Sequence, residues 1–186
     1  MAKIRYGLSN CYYAKYNGVV NNEESYETPV PMLGAVAITL DAAGESVDEY
    51  ADNILWFHSD VNNGYSGSLE VEVLGDDFRK DILGEEEDSA GVLFENSDAP
   101  VVEFALLGQF QLEGDNDTGK RFCLFRCTAS RPSMSGSTKE ATITPQHDTV
   151  NLTAMPRVSD HMTKATAKNS SNKYATWFNA VVTKAQ

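Results

Sequence analysis

The sequence predicts a mainly β protein of roughly eight strands with one short helix at about residues 76–83. Three observations carry that prediction. Apolar residues recur at every second position, as Leu69, Val71 and Val73 do around Glu70 and Glu72. Glycine-bearing turn signals of the hairpin kind punctuate the chain at Asn17-Gly18, Asn63-Gly64 and residues 114–119. Only residues 75–84 change to helical spacing, with Phe78 and Ile82 four apart on one face.

In order, residues 4–16 read as an opening strand and residues 35–40 as a second, rich in strand formers. Residues 68–74 alternate cleanly, with the acids on the side away from Leu69, Val71 and Val73. In the helix, Asp76 is placed to cap the first turn and Gly84 to end the last. So short a helix is marginal in water and must pack on a sheet. Two longer strands follow at 101–111, with Phe104, Leu106 and Phe110, and at 120–129, with Phe122, Leu124 and Arg126. Residues 150–154 and 174–183 read as closing strands, while 85–88 is an acidic loop and 169–172 a polar one. Nothing marks a domain boundary, so 1–186 is expected to be a single domain, within the size range in which one core suffices.

The net charge of −12 is distributed unevenly. Residues 1–40 balance three acids with three bases; residues 41–117 carry 21 acids against Arg79 and Lys80; residues 118–186 carry three acids and ten bases. An acidic and a basic half can pair internally, or can form opposite faces that attract successive copies head to tail. So acidic a chain repels phosphate, which disfavours ordinary duplex binding. No apolar run approaches a membrane span, the N-terminal residues lack the apolar stretch of a secretory signal, and three cysteines do not make a disulfide framework. The expectation is a soluble protein folded in a reducing cytoplasm.

Several motifs fail on inspection. Residues 114–120 match the Gly, four residues, Gly-Lys frame of a phosphate loop, but Arg121 follows where a hydroxyl is needed, and Asp115 and Asp117 oppose phosphate. The strand–loop–strand context lacks the helix N-terminus of such a site. The same acids lack the glycine and the final bidentate acid of a calcium loop. Cys123 and Cys127, four apart on a strand, share a face, but His58, His147 and His161 are scattered and no zinc spacing appears. The cysteines read as small buried apolar residues. Residues 50–60 combine aromatics with acids, which suits a pocket or sugar platform, and equally a core strand flanked by an inter-subunit loop. No convergent acid–base pair, metal set or nucleotide loop remains, so no enzyme activity, cofactor or metal is expected.

The order of segments resembles the major tail proteins of long-tailed, siphovirus-type bacteriophages, the subunits of the tail tube. The matching stretches are residues 3–10, Tyr12-Tyr13-Ala14, Leu33-Gly34-Ala35-Val36, Tyr50-Ala51-Asp52 and residues 63–67. The most distinctive is residues 77–85, followed by 91–95, Phe104-Ala105-Leu106, Arg131-Pro132-Ser133, Thr138-Lys139-Glu140 and 145–149. Residues 17–31 and 158–186 match poorly. The resemblance implies a β-sandwich with a flanking helix and long inter-subunit loops, without the immunoglobulin-like C-terminal domain that some tube subunits carry. It implies hexameric rings stacked head to tail into a tube through which DNA leaves the capsid. The implied partners are further copies of the chain, other tail proteins (tape measure, terminator and distal tail proteins) and double-stranded DNA in transit, with no membrane. The implied location is the tail of the virion, after synthesis in the host cytoplasm.

Size and charge suit that task. A domain of this length has a radius of gyration of about 16 Å, and six such bodies in a ring leave a hole roughly 40 Å across. A conduit must not hold its cargo, so an acidic wall is favoured over a basic one. Glu70 and Glu72 are the candidates for the lumen, and Tyr50, Asp52, Trp56, Asp60, Tyr65, Arg131, Lys139 and Arg157 for contacts between subunits. Segments 17–34 and 41–67 are the candidate arms, and Arg131, Lys139 and Arg157 are placed either to meet the acidic 41–67 segment of a neighbour or to pair within the subunit. Two rivals compete: a β-sandwich carbohydrate- or receptor-binding module using Tyr12, Tyr13, Trp56 and Tyr65, or another virion component such as a tail terminator or capsid decoration protein.

Overall fold

Two long strands buried on both faces organise the structure. β10 (Phe104–Leu112) sends Phe104 and Leu106 to one side and Ala105 and Leu107 to the other, and all four are buried. Its partner β11 (Lys120–Ala129) divides in the same way, with Phe122 and Leu124 opposite Cys123 and Phe125. The computed structural model describes residues 4–20, 23–113, 119–138 and 144–184.

Around this pair the other strands are, in chain order, β1 (Arg5–Val20), β2 (Glu23–Tyr26), β3 (Val30–Met32), β4 (Ala35–Ala43), β5 (Ser46–Ala51), β6 (Ile54–Asp60) and β7 (Gly64–Val71). Then come the helix α1 (Asp76–Asp81), the two-residue strands β8 (Glu86–Glu87) and β9 (Leu93–Phe94), and after β10 and β11 the strands β12 (Asp148–Met155) and β13 (Lys164–Ala167). The main sheet is antiparallel in the order β2-β1-β10-β11-β12-β7-β4, with β3 added to β1 and β13 to β11. It curls until β4 approaches β1 without pairing to it, and so encloses a core of Tyr13, Leu69, Val71, Phe104, Leu106, Leu124 and Val150. The result is mainly β and sandwich-like, as expected, with one short helix.

That helix seals the core. Phe78 meets Tyr13 edge to face at 5.2 Å and Phe104 at 5.6 Å, and the Tyr13 hydroxyl donates to Asp81 Oδ2 at 2.8 Å. Ile82 is buried beside Phe78, as their spacing requires. The helix is shorter than expected, and its N-cap is Gly75, with Asp76 inside the first turn rather than capping it. Asp148 Oδ2 instead accepts from the Leu74 N–H at 2.8 Å.

The second face of β10 and β11 is closed by residues 174–182, and here the expected closing strand is corrected. Tyr174, Trp177 and Phe178 lie on turns built from successive i→i+3 hydrogen bonds, and β13 is the last strand. Their three- and four-residue spacing is that of a helical turn, not of a pleat. The Trp177 indole N–H donates to the Phe122 carbonyl at 3.3 Å and the Tyr174 hydroxyl to that of Gly119 at 2.8 Å.

Other expectations change too. Thirteen strands occur among the described residues, against about eight, because segments read as arms are themselves paired. Asn17-Gly18 is not a hairpin turn: β1 runs through it with a bulge, and Gly18 takes a φ of +86°. Asn63-Gly64 leads into β7, where a φ of +101° and an Ala154 carbonyl 1.9 Å from any added Cβ require glycine. β7 ends at Val71, so Val73 points to solvent and Leu74 takes the core position. Cys123 and Cys127 fall on opposite faces, because a bulge between the Phe104–Cys127 and Leu106–Leu124 pairs inserts one extra residue.

Candidate functional site

The β5–β6 hairpin stands outside both cores. β5 and β6 form a two-stranded sheet of their own, projecting between β4 and β7. The Ala51–Ile54 pair closes a two-residue turn in which Asp52 and Asn53 both take positive φ, 51° and 63°, the geometry of a type I′ hairpin. An Asp-Asn pair between two β-rich runs is the signal that marks this turn in the sequence.

Nothing among the described residues covers the hairpin. Trp56 is 69% exposed and Tyr50 67%, and Val47, Ile54, Leu55 and Phe57 are at least half exposed. Pairing sets the faces, since directly opposite residues project together. Val47 lies opposite Ser59 and Glu49 opposite Phe57 on one face; Asp48 lies opposite His58 and Ser46 opposite Asp60 on the other. Tyr50 pairs with Leu55, and Trp56 is the extra residue where the register shifts. Apolar side chains therefore emerge from both faces of an isolated hairpin, a form that is marginal in water alone. The core strand expected within residues 50–60 is thus corrected: it is a strand, but an exposed one.

The hairpin is also uniformly acidic. Residues 41–67 carry six acids and neither lysine nor arginine. His58 sits between Asp48 at 2.5 Å and Asp60 at 3.3 Å, and its hydrogen bond to Asp48, then that to Asp60, raises its pKa above the ordinary histidine value.

The expected contact residues divide accordingly. Tyr50, Asp52, Trp56 and Asp60 come together on the hairpin, and Tyr65 stands near its base, where Lys164 Nζ donates to its hydroxyl at 2.6 Å. Arg131 is exposed but pairs with Glu95 at 2.7 Å, away from the hairpin. Arg157 is not a surface residue: it is 4% exposed, lies 4.0 Å over the Phe125 ring and pairs with Asp160 within the subunit. Burial opposes its charge, but the hydrogen bond and the charge of Asp160 outweigh this and raise its pKa. Lys139 lies outside the described residues.

Glu70 and Glu72 flank one histidine. His147 Nδ1 is 2.7 Å from Glu70 and Nε2 is 3.5 Å from Glu72. Glu70 belongs to a wider face, found by register rather than by motif. Across β12, β7 and β4 the rows are Thr149–Glu70–Ala37, Asn151–Ser68–Thr39 and Thr153–Ser66–Asp41. All nine residues lie on the side away from the core and none is basic, so this is a smooth sheet face of short polar side chains. The alternation of buried Val150, Leu152 and Ala154 with Thr149, Asn151 and Thr153 is its sequence signature.

The groups suggested for chemistry or sugar binding do not converge. Tyr13 is 2% exposed in the core, Tyr12 stacks on Phe178 at 4.7 Å, and Trp56 is on the hairpin. All three cysteines are free and buried, and burial pushes the Cys11 and Cys127 thiols up to about 12, far from a reactive thiolate. Among the described residues no cluster of His, Cys, Asp and Glu is arranged to hold a metal ion, and no helix is long and apolar enough to cross a membrane. No model of a known protein family matches the sequence, and no curated protein matches it.

Proposed function

We propose that the chain is a structural subunit of a phage tail tube, without catalytic activity, which polymerises as stacked hexameric rings around a conduit for DNA. The observation that carries this reading is the β5–β6 hairpin, with apolar side chains on both faces that no described residue covers. Exposed apolar area of this kind marks an interaction surface. The segment resemblance names the assembly, and the sandwich-like fold with its single sealing helix is of the kind it implies.

The polar face of β4, β7 and β12 supports the conduit. Passing DNA presents phosphates to the wall, and each lysine or arginine there would form a contact that slows transit. Rows of Ser, Thr and Asn with Glu70 among them offer no cation to bind. Glu70→Lys with Glu72→Lys is expected to slow DNA ejection from intact tails, with tail length unchanged. Ejection kinetics equal to those of the native tail would remove these residues from the lumen.

Electron microscopy of the purified protein at rising concentration tests the main reading. Hollow tubes or stacked six-fold rings are the expected result. Closed single rings that never stack would favour a terminator-like component, and a monomer with measurable glycan affinity would favour the binding module.

A further inference from the structure

The curled sheet leaves a seam where β4 fails to pair with β1, and a cleft opens there. Leu40, Phe110 and Phe122 line it, and Arg5, Lys120 and Lys164 stand among them. Arg5 lies 4.6 Å over the Phe110 ring and Lys164 4.4 Å over that of Tyr65. Within the described residues none of these three cations is paired with a carboxylate. An apolar slot with three cations that no described carboxylate pairs is therefore left open on a molecule of net charge −12.

We propose that this cleft is the seat of the β5–β6 hairpin of a second copy. The proposal rests on the reading of the chain as a self-assembling subunit and names the contact that reading requires. The two surfaces match in kind. The hairpin offers Trp56, Phe57 and Leu55 together with Glu49 and Asp52, and has no lysine or arginine; the cleft offers aromatic and aliphatic walls with cations only. The chain's own hairpin does not fill the slot, because residues 44–58 are all exposed and none of them lines it. At about 3.3 Å per residue, strands of this length extend roughly 20 Å, enough to reach a neighbour. One hairpin and one cleft per chain make a heterologous head-to-tail contact, which passes from copy to copy and builds a ring where the rotation closes and a filament where it does not.

Sedimentation velocity on the wild type and three variants tests this. A cleft variant carries Lys120→Glu and Lys164→Glu, with Thr166→Trp as a second form that fills the slot without changing charge. A hairpin variant carries Trp56→Ser and Phe57→Ser. Thermal melts establish that each is folded. The wild type is expected to associate, and each variant alone to do so at least 100-fold more weakly. A mixture of cleft and hairpin variants is expected to form a one-to-one pair that cannot grow, because one retains only the hairpin and the other only the cleft. Cleft variants that assemble like the wild type while the hairpin variant does not would overturn the proposal and leave the self-assembly reading standing, as would a mixture that fails to pair. A wild type that stays monomeric at every concentration, with no tubes, would overturn both.

Discussion

Replacing Trp56 and Phe57 together by serine is expected to abolish assembly while leaving the fold intact. Both side chains project from a hairpin that contributes to neither core, so the melting temperature should stay close to that of the wild type, as for ordinary surface positions. Aromatic anchors at the centre of an interface cost about 2 kcal/mol or more each when truncated. Two of them amount to a rise in the critical concentration on the order of 10³-fold. The protein reports its own result, because Trp56 and Trp177 are its two tryptophans. Trp177 is buried throughout, so a blue shift of the emission on assembly belongs to Trp56. Tubes forming at the native concentration, or assembly with no spectral shift, would show that the hairpin lies outside the contacts.

This hairpin also shows how far period-two reading goes. Lys120–Ala129 was legible to its ends, because Phe122 and Leu124 alternate with residues that the opposite face also buries. Residues 54–57 are just as apolar, and alternation alone cannot say whether the surface they need lies in the same chain or in another. Their exposure is information only the folded chain supplies. The face around Glu70 was half legible: Glu70 and Glu72 stand out in sequence, but His147 is 77 positions from Glu70 and meets it only through the β7–β12 register. The cysteine pair fails for a related reason. A bulge changes the parity of a strand, and no residue type in residues 124–127 announces one. The cleft is least legible of all, since Arg5, Leu40, Lys120 and Lys164 come from four strands and share no local pattern.

Trp177→Ala is expected to be among the most destabilising single substitutions in the chain. Residues 174–182 act as a strap rather than a strand, and its grip is concentrated in a few side chains. Trp177 packs on the cluster of Ala105, Leu107, Cys123 and Phe125 and spends its indole N–H on a strand carbonyl. Arg121 lies against the rings of Tyr174 at 3.8 Å and Phe178 at 4.6 Å, donates to the Tyr174 carbonyl, and holds Gln109 Oε1 at 2.9 Å. Removing the indole leaves a cavity over two strands whose remaining cover on that side, Tyr174 and Phe178 among it, belongs largely to the same strap, at a cost of about 3–5 kcal/mol. For a chain of this size that lowers the melting temperature by about 6–20 °C. Trp177→Phe keeps most of the packing and loses only the N–H bond, so its loss should be about 1 kcal/mol on top of a small repacking cost. Equal losses for the two variants would mean that the hydrogen bond, not the packing, fixes the strap. A loss below about 1 kcal/mol for Trp177→Ala would mean that the strap rests on the sheet without stabilising it. The second face of β10 and β11 would then have to be counted, with the hairpin, among the surfaces this chain offers to its neighbours.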